Sequence, residues 1–258
     1  MVRSCTLLDG DEVLLETPRL IEDAMQCGVT VHTALIRSDA PAALRQLLRR
    51  VPRGTKLYEV EPKLFPELTS TEESPGIVGL ANVPCWKEAD LFAGGLPLLV
   101  VLAGIQDPGN LGAILRAAEA FGATGVLATK GTVSPFNAKA IRAAAGTLFR
   151  LAVLSDFTAP RIISLLRREN VALLASAPRG GTALAGIAGV AGIDVTKPLA
   201  LALGSEGAGL PRELEAAGIH VSIPIASRVE SLNVAAAASV MLYEIARQRA
   251  LASAGKVD

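Results

Sequence analysis

Six stretches of this chain are almost uninterruptedly apolar, at residues 98–103, 125–129, 151–154, 171–176, 199–203 and 220–224, and helical candidates lie between them. A strand that is apolar on both faces must be covered on both, and strands alternating with helices meet that need as a parallel, doubly wound α/β sheet. The first eighty or so residues are different in grain. Strand-like pieces at 12–16, 29–35, 56–60 and 76–81 alternate with helix-like pieces at 18–27, 41–50 and 62–68. Pro18, Pro41 and Pro62 stand where a first helical turn tolerates them. A small α/β domain over residues 1–83 is expected. Residues 84–95, with Pro84, Trp86, several charges and the pair Gly94-Gly95, break the pattern and read as a linker to a larger domain over 96–258. Residues 180–192 are rich in Gly and Ala and fit a loose helix or a loop equally well.

Half of the 258 residues are apolar, enough for a sizeable core. The longest apolar run, 96–103, is too short to cross a bilayer, and Asp9, Asp11 and Glu12 lie where a signal peptide would be apolar, so a cytoplasmic protein is expected. Cys5, Cys27 and Cys85 are odd in number, far apart and without a nearby His, which supports neither a disulfide framework nor a metal site. Net charge is zero, against a strong nonspecific grip on nucleic acid. The charges are nevertheless uneven. Arg45, Arg49, Arg50, Arg53 and Lys56 form an acid-free stretch, as do Lys130, Lys139, Arg142 and Arg150. Each is either a solvated face or a local RNA-facing surface. With aromatics at 3%, recognition by rows of stacked bases is not expected.

Three polar segments follow apolar runs. In Gly104-Ile105-Gln106-Asp107-Pro108-Gly109-Asn110, Asn110 stands where a helix N-cap is wanted. On the helix after it, Leu111, Leu115 and Ala118 share one face, leaving Arg116 away from the apolar stripe. Arg116 then either pairs with Glu119 or projects over the carboxyl ends of the strands, where open α/β sheets place ligands. Gly204-Ser205-Glu206-Gly207-Ala208-Gly209 sets one carboxylate in a glycine-rich turn and matches neither the dinucleotide fingerprint nor the P-loop. In the third, Ser231-Leu232-Asn233-Val234 opens an Ala-rich helix reaching about residue 251, with Ser231 a candidate cap.

In this order, the three segments resemble the signature motifs of the SpoU (TrmH-like) class of SPOUT RNA ribose methyltransferases, over about residues 96–248. The resemblance implies a catalytic domain whose parallel sheet carries a deep C-terminal trefoil knot, an obligate homodimer, and S-adenosylmethionine bound in the knotted region. By motif it assigns cofactor contacts to Gly204, Ile223 and Leu232, and catalysis or substrate handling to Asn110, Arg116, Glu206, Ser231 and Asn233. It places Arg142 on the RNA side. The N-terminal region is similar to the substrate-binding domain of rRNA-modifying members at Leu14-Leu15-Glu16-Thr17-Pro18-Arg19-Leu20 and Ser74-Pro75-Gly76-Ile77-Val78, departing from it at Thr17, where many relatives have Gly.

The activity so implied is methyl transfer to a ribose 2'-hydroxyl of structured RNA, with 23S-type rRNA ahead of tRNA. An alcohol is a poor nucleophile unless its proton leaves or its charge is stabilised. Because a guanidinium keeps its proton, Arg116 suits an electrostatic clamp better than a base, and the acceptor is then a substrate phosphate or a water held by Glu206. Two rivals are a noncatalytic RNA-binding protein on the same fold and a nucleotide-dependent oxidoreductase. The full set of polar motif residues opposes the first, and the missing glycine fingerprints oppose the second.

Overall fold

The computed structural model describes residues 7–8, 12–70, 74–178, 182–183, 194–226 and 229–254. In chain order the elements are β1 (Leu7–Leu8), β2 (Glu12–Leu15), α1 (Pro18–Gln26), β3 (Val31–Arg37), α2 (Ala42–Leu48), β4 (Lys56–Val60), β5 (Ile77–Asn82), β6 (Leu98–Ala103), α3 (Pro108–Ala120), β7 (Gly125–Thr129), α4 (Ala138–Ala144), β8 (Ala152–Phe157), α5 (Ala159–Arg168), β9 (Ala172–Ser176), β10 (Thr182–Ala183), β11 (Leu199–Gly204), α6 (Arg212–Ala217), β12 (Ile219–Ser222) and α7 (Val234–Ala254). They form two compact units, one of Met1–Cys85 with Ser134–Arg150 and one of Trp86–Val133 with Leu151–Asp258.

The first unit carries a five-stranded sheet in the order β1-β2-β5-β3-β4, antiparallel except for the parallel β3–β4 pair. Thr17 starts α1 by accepting the Leu20 N–H on its hydroxyl, with Pro18 in the first turn. Leu14, Phe65 and Val78 pack as a small core. Glu16 is buried, and its carboxylate accepts the Ser70 N–H at 2.7 Å and hydroxyl at 2.9 Å and ion-pairs with Arg142. Arg142 thereby ties residues 134–150 to the first unit, with which they group, where the sequence alone places them inside a continuous domain over 96–258.

The second unit holds seven parallel strands in the order β10-β12-β9-β11-β6-β7-β8. Every residue of β6 is buried, a gross burial on the order of 10 kcal/mol for its six apolar side chains. The β11–β6 pairing runs in register from Leu199 against Leu98 to Gly204 against Ala103. The expected linker is partly structural: a 3-10 turn at Glu88–Phe92 buries Leu91 fully, and a Cβ on Gly125 would fall 2.5 Å from its Cδ2. The last apolar run is shorter as a strand than its sequence reading, since β12 stops at Ser222 before Pro224. Of residues 180–192, Thr182 and Ala183 form β10 and the remainder lies outside the described residues. Among the described residues no helix is long and apolar enough to span a membrane.

Candidate active site

Because β6 and β11 are parallel neighbours, the two loops that leave their carboxyl ends start side by side, as ligand sites in open α/β sheets do. Gly104 ends β6 with a φ of 69° and donates its N–H to the hydroxyls of Thr129 at 3.2 Å and Thr132 at 3.1 Å. Gln106 Nε2 donates to the Gly131 carbonyl at 2.9 Å, and the Val133 N–H to the Ile105 carbonyl at 2.8 Å. Asp107 then caps α3 through its carboxylate, which accepts the Asn110 N–H at 2.8 Å, and Pro108 follows. Asp107, not Asn110, is therefore the N-cap, and the Asn110 side chain is left for other partners.

The loop after β11 folds back on itself. Ser205 and Gly209 form a bridge, Gly209 sits at a φ of 67°, and a Cβ on Gly204 would lie 2.2 Å from the Gly209 carbonyl carbon. Only a residue without a side chain fits at 204, and the tight return holds the exposed Glu206 at its tip. Asn233 opens α7, its Oδ1 accepting the N–H groups of Ala235 at 2.9 Å and Ala236 at 3.3 Å. Asn233 is thus the cap that the sequence reading assigned to Ser231.

These three segments meet. Asn110 Nδ2 donates to Glu206 Oε1 at 3.1 Å, and Asn233 Nδ2 lies 3.0 Å from the same oxygen and 3.1 Å from Asn110 Oδ1. Two side-chain amides converging on one carboxylate oxygen fix its orientation. Beside this triad lies a cavity of about 360 Å³, within the range of small-molecule sites, lined by Gly204, Glu206, Ile223, Ser231 and Leu232 among others. Leu203, Ile225, Val234 and Met241 supply apolar wall. Ser176, Ala177 and Pro178, at the end of β9, also line it. The sequence reading missed them; their only signal was an apolar strand ending in Ser and Pro.

Two expected site residues lie elsewhere. Arg116 is exposed on α3, does not line the cavity, and has no hydrogen-bond or ion-pair partner among the described residues, so it does not pair with Glu119. It sits six residues beyond Asn110, about 9 Å along the helix and about 120° around it. Arg142 ion-pairs with the buried Glu16 and donates to the Ser70 hydroxyl at 2.6 Å in the first unit. Among the described residues no group of three or more His, Cys, Asp and Glu side chains is placed to hold a metal.

The α/β fold with its parallel sheet is similar to solved SpoU methyltransferases. The crystal structure of AviRb from Streptomyces viridochromogenes with AdoMet matches at a TM-score of 0.81 and 27% identity, covering 93% of this chain and 92% of that one. The AdoMet-bound rRNA methyltransferase from Sinorhizobium meliloti matches at 0.80 and 30% identity, covering 92% and 88%. The 23S rRNA (guanosine(2553)-2'-O)-methyltransferase RlmP of Bacillus subtilis is 30% identical over 90% of this chain and 87% of its own length. The 23S rRNA (guanosine-2'-O-)-methyltransferase RlmB of Xylella fastidiosa is 32% identical over 87% and 96%. The model of the SpoU rRNA Methylase family matches residues 97–243, and this chain belongs to that family.

Proposed function

We propose that this protein transfers a methyl group from S-adenosylmethionine to a guanosine ribose 2'-hydroxyl of 23S-type rRNA, in the cytoplasm. The observation that carries this reading is the closure of Asn110, Glu206 and Asn233, drawn from three distant segments, into one hydrogen-bonded triad beside the cavity. The names of RlmP and RlmB support the substrate, and the AdoMet in the AviRb and Sinorhizobium meliloti structures supports the cofactor.

Gly204, Ile223 and Leu232 would hold the cofactor, against a wall whose apolar part excludes water and whose backbone at 204–209 offers close polar contact. Bound there, S-adenosylmethionine supplies the sulfonium methyl. Ser231 and Asn233 hold the ribose by hydrogen bonds, and Glu206, held in place by its two amide donors, holds the water that takes the hydroxyl proton unless a substrate phosphate does so. Arg116 clamps the developing negative charge without giving up its own proton.

Arg116 reaches that position across a homodimer, from one protomer to the cavity of the other. Supporting this are its exposure on α3, the edge-to-face contact of Phe121 with Tyr243 that joins α3 to α7, and the exposed Val240 and Tyr243 on α7. The C-terminal part of the second unit is threaded as a trefoil knot, a reading supported by β11 lodged between β9 and β6. Arg49, Arg53, Lys56 and Tyr58, all exposed, form the RNA-facing surface of the first unit, whereas Arg142 holds the 134–150 segment in place. Mapping 2'-O-methylation across rRNA and tRNA in cells with and without the gene tests the function. One 23S-type guanosine should lose its methyl group. Loss at a tRNA position instead, or at none, overturns the reading in favour of a tRNA enzyme or a noncatalytic binder.

A further inference from the structure

Sixteen residues beyond Asn233, near the far end of α7, Arg249 is half-buried and points its guanidinium at backbone alone. Nε donates to the Val195 carbonyl at 2.8 Å, Nη1 to Leu96 at 3.2 Å, and Nη2 to Pro97 at 3.0 Å and Lys197 at 2.9 Å. No carboxylate pairs with it among the described residues, and desolvation lowers its pKa. An unpaired buried cation is costly unless its donors are satisfied, and here four carbonyls take four of its five N–H groups.

The position of those carbonyls gives the arrangement its meaning. Leu96 and Pro97 lead into β6, and Val195 and Lys197 lead into β11, the strands whose opposite ends carry Asn110 and Glu206. Asn233 and Arg249 are about 24 Å apart along the helix, and the six-residue strands beneath span about 20 Å. One end of α7 therefore meets the site while the other is fastened to the starts of the same two strands. The helix is smooth at its site end, where residues 235–238 are all Ala, and its large buried side chains Met241, Leu242 and Ile245 lie between that end and Arg249.

We propose that Arg249 is a positioning residue: its four-carbonyl clasp sets the axial register of α7 and so places the Asn233 amide against Glu206 and Asn110. The proposal rests on Asn233 belonging to the site. A planar five-donor fork is required, and Lys, with three donors on a point charge, cannot reproduce it.

The test uses full-length Arg249→Ala, Arg249→Lys and, as a separate control on the site, Asn233→Ser, each followed by amide hydrogen exchange and by methyl-transfer kinetics. Loss of the clasp should raise exchange at the Ala235, Ala236 and Ala237 amides about tenfold and lower kcat about ten- to a hundredfold, with KM for RNA unchanged within about twofold. Arg249→Lys should show the same pattern in weaker form, and it carries the test if Arg249→Ala does not fold. Exchange confined to the last turns of α7 with kcat preserved would mean that Arg249 merely anchors a helix end, and the proposal falls. Loss of turnover in Asn233→Ser together with normal turnover in both Arg249 variants sinks this proposal alone. Normal turnover in Asn233→Ser removes Asn233 from the site and takes the proposal down with it.

Discussion

Asn233 donates to Glu206 Oε1 at 3.0 Å with its amide nitrogen while its amide oxygen caps α7 through the Ala235 N–H at 2.9 Å. One side chain thus serves the helix and the site, and the two services can be separated. Asn233→Ser keeps a capping oxygen and removes the donor, so thermal unfolding should stay within about 0.5 kcal/mol of wild type while turnover falls about a hundredfold. Asn233→Ala removes both and should cost about 1 kcal/mol more. Calorimetry and methyl-transfer assays on the two variants check this.

Arg116 acts across the dimer in the mechanism proposed above, which makes complementation possible. Arg116→Ala and Asn233→Ser should each be nearly inactive alone. Mixed after unfolding and refolding together, they should recover about a quarter of wild-type activity, because half the dimers are mixed and each mixed dimer has one intact site. If no activity returns although mixed dimers are demonstrated by mass spectrometry, Arg116 does not act in trans.

The return of the 204–209 loop leaves no room for a methyl group at Gly204, where a Cβ would sit 2.2 Å from the Gly209 carbonyl carbon. Gly204→Ala should open the loop, move Glu206 off its amide donors, and weaken binding of S-adenosylhomocysteine at least about tenfold in titration calorimetry. The strand below, buried from Leu199 to Leu203, should keep the rest of the unit folded.

Glu16 and Arg142 make opposite predictions for two views of Arg142. As a partner of a buried carboxylate, Arg142→Ala should leave Glu16 uncompensated and cost about 3 kcal/mol in unfolding experiments. As an RNA contact alone, it would weaken RNA binding and leave stability within about 0.5 kcal/mol. The double change Glu16→Gln with Arg142→Met should recover much of the loss in the first case, since no unpaired charge remains.

Hydrogen bonds from Arg247 hold the Glu244 carboxyl at a pKa of about 2, well below its ordinary 4.5. A group depressed in the folded state contributes stability above its unfolded pKa and loses it as pH falls through the folded one. The contribution should therefore be complete above about pH 4.5 and fade towards pH 2. Its size should be about 1 kcal/mol, because the Arg247 side chain is 40% exposed and screened. Urea titrations of wild type and Glu244→Gln between pH 6 and pH 2 should converge at the acid end.

The sheet of the second unit was readable in the chain because strands covered on both faces write themselves as unbroken apolar runs, as at Leu98–Ala103. Caps were harder. Asp107 and Asn110, or Ser231 and Asn233, are equally good capping residues by type, and only backbone geometry decides which one begins the helix. Pairings over long sequence distances left no local trace: Glu16 meets Arg142 across 126 positions and Arg249 meets Leu96 across 153. The same distance explains why the resemblance to the family's motifs named Asn110, Glu206 and Asn233 individually but could not reveal that they bond to one another.

The placement of β11 against β6 also bears on how the protein is made. Emerging from the ribosome, the wholly apolar β6 must wait for a neighbour that lies about a hundred residues downstream, several seconds to some twenty at ordinary translation rates. Until then one sticky edge of the nascent sheet has no mate, and folding with so many distant pairings is slow. The order of the strands thus leaves the half-made core open to wrong partners for the whole of that interval.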